Sequence, residues 1–327
     1  MRDSFVSWQK ILAQGFASVN ELLEFLALPL NLGNPFAEKQ FKTRVPRGFV
    51  ARMQSANPRD PLLLQVLASA EELNPVQGYV NDPLAEAKAN PVEGLIHKYR
   101  GRVLLTLTGA CAINCRYCFR RHFPYQANNP GREGWPAVLD YIRKDHTIHE
   151  VILSGGDPLL AADAVLSELL QQLQSISHVH TLRFHTRIPV VLPERIDKSF
   201  LQLLQATPLH KVIVLHCNHA QELDDTVLHA CGALRQAGCH LLNQSVLLKG
   251  VNDSADVLAE LSERLFSFGV LPYYLHLLDK VAGAAHFDIP EDTALSLYRQ
   301  LQKQLPGYLL PRLAREEAGK PGKTLLI

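Results

Sequence analysis

No stretch of this 327-residue chain runs longer than 14 residues without an Asp, Glu, Lys or Arg. A membrane-spanning helix needs roughly 18 apolar residues, so none is expected and the chain reads as soluble. An excess of either charge is also missing: 33 Lys and Arg stand against 32 Asp and Glu, a formal net charge of +1. No global field draws such a chain to nucleic acid or to an anionic membrane surface. The N-terminus, MRDSFVSWQK, lacks the apolar run and small-residue cleavage site of a secretory leader, so the cytoplasm is the expected compartment.

Regularly spaced cysteines of a disulfide framework are absent as well. Of six cysteines, Cys111, Cys115 and Cys118 fall within eight residues, while Cys217, Cys231 and Cys239 lie scattered in apolar or helical context. This reads as one ligand cluster plus three buried thiols in a reducing compartment. What the chain does have is core material: 47% hydrophobic and 20% charged residues, the balance of a folded globular protein. At about 150 residues per domain, the length suits two compact units or one large α/β domain.

Up to about Gly94 the pattern is helical and loop-like, with apolar spacing of three to four in VNELLEFLAL and proline punctuation further on. From Arg102 the rhythm changes. Strand-length apolar runs at 103–108, 150–155, 181–186, 211–217, 240–248 and 271–278 alternate with amphipathic stretches near 134–144, 163–174, 197–206, 222–237, 254–268 and 291–304. Such a series predicts a parallel sheet with helices outside it, either open or curved into a partial barrel. In both, chemistry gathers at the carboxyl ends of the strands. Those ends carry Cys111 to Cys118, Ser154 to Asp157, His185 to Arg187, His216 to His219, Lys249 to Asp253 and Asp279.

The segment CAINCRYCFRRHFPY spaces its cysteines as C-x3-C-x2-C. Three thiolates close together in a reducing compartment want a soft metal. A structural zinc site closes with four ligands, which His122 would complete. Three cysteines alone leave one iron of a cubic cluster open to a ligand. The second strand ends in LSGGDPLL, where Gly155 and Gly156 permit close backbone approach and Asp157 offers an acceptor for an ammonium.

These motifs together resemble the radical S-adenosylmethionine (SAM) enzymes. The segments CRYCFRRHFPY, SGGDPLL, RIPVVLPERI, NQSVLLKGVND, PYYLHLLDKVAGAAHF and GKTLL resemble the lysine 2,3-aminomutases in particular, from about His97 to the end. Within them, HKYRGR, RVPRGF and the short C-terminus are most similar to the bacterial branch that supplies (R)-β-lysine for modification of elongation factor P.

The resemblance implies an incomplete (β/α)6 barrel over residues 96–308, preceded by an N-terminal helical region (1–95) and followed by a C-terminal segment (309–327). It implies a 4Fe-4S cluster on Cys111, Cys115 and Cys118, SAM on the open iron and beside Gly155, Gly156, Asp157 and Gln244, and an electron donor. It also implies pyridoxal 5′-phosphate (PLP) on Lys323, with Lys320 as the competing position, and its phosphate near Lys98 and Arg102. Substrate L-lysine is expected to meet Arg120 through its carboxylate and Asp279 through its side-chain ammonium. Glu316 stands where the family has an Asp for that ammonium. Arg116 and Arg121 are read as alternative SAM or cluster contacts, and His216 and His219 as hydrogen-bonding wall residues. The interface zinc of the longer family members is not expected, because Ser254 replaces a cysteine and their C-terminal extension is missing. A downstream ligase acting on elongation factor P is the expected partner in the pathway. The alternatives are an aminomutase of glutamate or arginine, and a non-catalytic iron-sulphur or zinc module.

Overall fold

The computed structural model describes residues 6–327. Its sheet holds nine strands in the spatial order of the sequence: β1 (Leu95–Tyr99), β2 (Arg102–Thr108), β3 (Glu150–Gly155), β4 (Thr181–Thr186), β5 (His210–His216), β6 (Cys239–Val246), β7 (Leu271–His276), β8 (Arg312–Arg315) and β9 (Thr324–Leu325). Neighbours from β2 to β8 pair parallel, while β1 and β9 pair antiparallel at the two edges. The six expected strand-helix units are present, and β8 adds a seventh parallel strand. One sheet therefore crosses both divisions drawn from the sequence, since β1 begins at Leu95 and both β8 and β9 lie within 309–327.

Strand periodicity sorts the side chains by face. Val103, Leu105, Leu107, Val151, Leu153, Leu182, Phe184, Ile213 and Leu215 join the main core with the outer helices. Their alternates Arg183, His185, His216 and Gln244 turn to the opposite, inner face. The helices carry the matching stripe. Asp163–Gln174 buries Leu166, Leu169, Leu170 and Leu173, each contributing about 2 kcal/mol on removal from water. Asp197 and Asp224 cap their helices through the amides of Phe200 and Val227 at 2.9 and 3.0 Å.

The N-terminal region is a set of short helices sharing that core. Leu22, Leu23, Phe49, Leu62 and Leu63 are fully buried in one cluster with Leu105 and Phe184. Residues 80–86 then cross toward the loop after β7, where Val80 bridges Val281 and donates to the Lys280 carbonyl at 3.0 Å. Among the described residues no helix is long and apolar enough to cross a membrane.

Candidate active site

The three cysteines sit half-buried, with free thiols, on the loop that leaves β2. The N-terminal region holds this loop. Arg116 N donates to the Gln65 carbonyl at 2.9 Å and Asn114 N to the Arg44 carbonyl at 3.0 Å. Arg116, wholly buried, forks onto Glu72 at 2.8 and 2.5 Å, and Arg121 reaches the same carboxylate at 2.6 Å. These two arginines are thus anchors of the loop and not the SAM or cluster contacts expected of them, because their donors face an internal acid and carbonyls of residues 37, 41, 116 and 283. His122 Nε2 pairs with the Ala282 carbonyl at 3.1 Å, away from the thiols.

Burial pushes the Cys111 thiol up, and burial with the neighbouring Cys115 pushes Cys118 up to about 11. Thiolates here need a cation of high charge. Among the described residues no three His, Cys, Asp or Glu side chains converge on one ion; in a cubic cluster each thiolate goes to its own iron, so convergence on a point is not required. The loop fits such a cluster.

The glycine pair is demanded by the chain itself. Gly155 has φ +114°, and a Cβ there would lie 2.6 Å from the Thr108 carbonyl oxygen; at Gly156 it would lie 2.2 Å from that of Ala110. The end of β3 thus packs directly under the start of the cysteine loop. Asp157 was expected to face a ligand ammonium, but both its oxygens are engaged within the chain. Oδ1 accepts from Thr186 Oγ1 at 2.7 Å and Leu159 N at 3.1 Å, and Oδ2 accepts from Arg187 N at 2.8 Å. It fixes the glycine turn against β4.

Arg187 closes the cluster side of the site. Its guanidinium donates to Cys115 Sγ at 2.8 Å, Tyr117 Oη at 2.9 Å, Gln65 Oε1 at 2.6 Å and Glu222 Oε2 at 2.9 Å. Tyr117 Oη also meets His216 Nε2 at 2.8 Å, and burial beside Arg187 holds that imidazole down at about 3, hence neutral. His219 instead accepts from Gln221 N at 3.1 Å and caps a turn. The two histidines are wall residues with separate partners, as expected.

On the inner face the charged groups form a row. Arg120 forks onto Glu86 at 2.7 and 2.8 Å; Glu86 lies 3.4 Å from Lys98; Lys98 lies 3.1 Å from Glu316; Glu316 lies 2.8 Å from Lys323. Burial alone would raise Glu316, but Lys323 and Lys98 override it and hold its carboxyl well below the usual range. Its two oxygens pair with Lys98 and Lys323, which makes it the counterion of both lysines in this structure. Lys323 Nζ lies 5.5 Å from the centre of the Tyr274 ring, whereas Lys320 is exposed on a turn. Arg102 stacks on Tyr99 at 4.8 Å.

Asp279 differs from the other acids: it is half-buried and no cation or donor among the described residues pairs with it. Burial and the nearby Glu316 push it up to about 7 against the pull of Lys323 and Lys98. It opens, with Glu316, on a cavity of about 590 Å³ lined also by Val80, Leu84, Leu278 and Ile289. Gln244 lies on β6 opposite His216 and Tyr274, half-buried. His185, within the field of Arg183, Lys323 and Arg120, is kept neutral by burial, and its Nε2 is buried without a partner. An orphaned nitrogen and an unpaired carboxyl facing Lys323 fit a polar cofactor and a cationic substrate.

Residues 105–261 match the family model of the Radical SAM superfamily. The chain is 49% identical to the L-lysine 2,3-aminomutase of Haemophilus influenzae, over 98% of this chain and 95% of that one. The chain belongs to the lysine 2,3-aminomutase family. To the enzyme of that name from Escherichia coli it is 47% identical over 98% and 94% of the two chains, and to that of Clostridium subterminale 34% over 97% and 77%. The family's cofactors are a 4Fe-4S cluster, SAM and PLP, and its members are isomerases. In this aminomutase the sequence pointed to the cysteines, Lys98, Arg120, Asp279, Lys323 and the glycine pair. It did not single out Glu72, Glu86, Gln65 or Glu222. Two of these had a signal: Ser69–Glu72 and His219–Glu222 each have the spacing of a capping box, which puts an acid at a fixed place on a short turn.

Proposed function

We propose that this aminomutase converts free L-α-lysine to (R)-β-lysine, in the cytoplasm, with a one-electron donor for its cluster, and that the product serves the modification of elongation factor P through a ligase. The observation that carries the reading is the unpaired, half-buried carboxyl of Asp279, which opens with Glu316 on the cavity beside β7 and β8. A buried acid without a partner is costly unless a cationic ligand completes it. Glutamate fits less well, since its side-chain carboxylate is repelled by that of Asp279.

When bound, the cluster and SAM supply hydrogen abstraction by a carbon radical, and PLP supplies an electron sink for the migrating nitrogen. The amino group leaves C2 for C3 and a hydrogen takes the reverse path, so the reaction is a balanced isomerisation. The chain's residues bind and orient. Cys111, Cys115 and Cys118 would hold three irons, and the backbone at Gly155 and Gly156, with Gln244, would flank SAM. Lys323 would hold PLP, with Lys98 and Arg102 toward its phosphate. Arg120 would take the α-carboxylate and Asp279 the ε-ammonium, which fixes C2 and C3 between two charged anchors. Arg120 in this role requires a free carboxylate. A lysine already joined to elongation factor P through its carboxyl would leave Arg120 unmatched.

The test is anaerobic incubation of the reconstituted enzyme with reductant, SAM, PLP and L-lysine, followed by chiral mass analysis. β-Lysine is expected, with none of the corresponding isomers from glutamate or arginine. Faster turnover of lysyl-modified elongation factor P, indifferent to an Arg120→Ala change, would reverse the assignment of free lysine.

A further inference from the structure

Arg120 carries five N–H donors in a planar fork, and the structure gives partners to four of them. Nε and one Nη2 hydrogen go to the two oxygens of Glu86 at 2.7 and 2.8 Å, and one Nη1 hydrogen goes to Ser154 Oγ at 3.1 Å. Nη1 also reaches the Gly155 carbonyl at 3.5 Å, the longest contact of the set. The rings of Phe119 and Phe123 flank the guanidinium at 4.9 and 5.6 Å. The outer Nη2 hydrogen is left at the end of the fork, beside an Nη1 hydrogen whose 3.5 Å contact a carboxylate can displace. That is the donor pair a carboxylate binds bidentately.

We propose that Glu86 is the positioning residue for substrate recognition: it occupies the side-on edge of Arg120 so that the end-on edge is presented to the α-carboxylate of the amino acid. This rests on the reading of Arg120 as the carboxylate-binding residue. Glu86 is 4% exposed and Arg120 7%, so neither guanidinium edge is turned by water. The backbone supports the placement. Ala85, immediately before Glu86, has φ +49°, a left-handed conformation that a residue with a Cβ keeps only when its surroundings over-determine it. The segment is pinned upstream by the Val80–Val281 bridge, next to Asp279. The element that aims Arg120 is thereby fixed to the loop carrying Asp279, which sets the distance between the two charged anchors.

Glu86 also lies 3.4 Å from Lys98. Removing its charge leaves Lys98 on Glu316 at 3.1 Å, so bound PLP is expected to hold. Lysine binding is expected to weaken. The experiment compares holoenzyme with Glu86→Gln, Glu86→Asp and Arg120→Lys, reading KM and kcat for lysine, iron and PLP content, and inhibition by 1,5-diaminopentane, which lacks the carboxylate. Glu86→Gln is expected to raise KM about tenfold with a much smaller change in kcat, and to leave diaminopentane inhibition, iron and PLP as they were. Glu86→Asp is expected to recover part of the loss. An unchanged or lower KM in Glu86→Gln, with Arg120→Lys raising it, overturns the positioning role and leaves Arg120 standing. An Arg120→Lys enzyme with normal KM removes the carboxylate reading itself, and the inference with it. Loss of iron or PLP from Glu86→Gln assigns Glu86 to the fold instead.

Discussion

Lys98 Nζ lies 3.1 Å from the Glu316 carboxylate, which joins the first strand of the sheet to the residue that follows the eighth. Because Glu316 also holds Lys323, this single acid pairs with two lysines at the seam. Glu316→Gln is expected to destabilise the protein by about 2 kcal/mol, less than a fully buried pair because the three side chains are partly exposed. PLP should be retained less well through dialysis. Urea unfolding and absorbance of the dialysed protein measure the two effects.

Borohydride reduction of the PLP-loaded enzyme should label Lys323, which faces Tyr274 and Glu316 from the inner side. Peptide mapping locates the label. Lys323→Ala should lose it and keep its iron, while Lys320→Ala should keep both, since Lys320 is exposed on a turn.

The carboxyl of Asp279, pushed up to about 7 by burial and Glu316, has to ionise before it can pair with an ammonium. Its folded pKa is raised, so the proton is held below pH 7 and must leave on lysine binding. KM for lysine should be flat above about pH 7.5 and climb as pH falls, approaching about tenfold per unit. Steady-state assays from pH 6 to 8.5 read this profile. In Asp279→Asn the KM should be high and independent of pH over the same range.

At Gly156 a Cβ would lie 2.2 Å from the Ala110 carbonyl oxygen and 2.7 Å from the Gly109 carbonyl carbon, both rigid backbone. Gly156→Ala should therefore displace the cysteine loop, and iron content after reconstitution should fall to a small fraction of normal. Gly232→Ala is the control: nothing lies within 4 Å of its Cβ on the helix Asp225–Gln236. It should load iron normally and gain about 0.5 kcal/mol of stability.

The parallel strands β2 to β7 were legible because each is a short apolar run between helices with a clear 3.6 period; β4 at 181–186 and the helix at 163–174 match the pattern residue for residue. β1, β8 and β9 were not. LIHKY and RLAR mix charge with apolar residues because one face lines the charged interior, and β9 is too short for any period to register. The site divides in the same way. Cysteine spacing and a glycine pair are local signals, so they could be read along the chain. The acids Glu72, Glu86 and Glu222 meet their arginines across 44, 34 and 35 residues, and nothing in the sequence near an acid names so distant a partner. Asp157 shows the opposite hazard: beside a ligand-type motif it was read as a ligand contact, whereas its oxygens serve local turns.

The shared grip of Arg116 and Arg121 on Glu72 divides the labour of the cysteine loop. The ion triad is buried, with all three side chains at 1% exposure or less, and it orders the cysteine loop using protein atoms alone. Zinc-finger folds, by contrast, form only when the metal arrives. Here the loop is tied to the N-terminal region through Glu72 without using a thiol, so the task of holding the loop is separate from the task of holding metal.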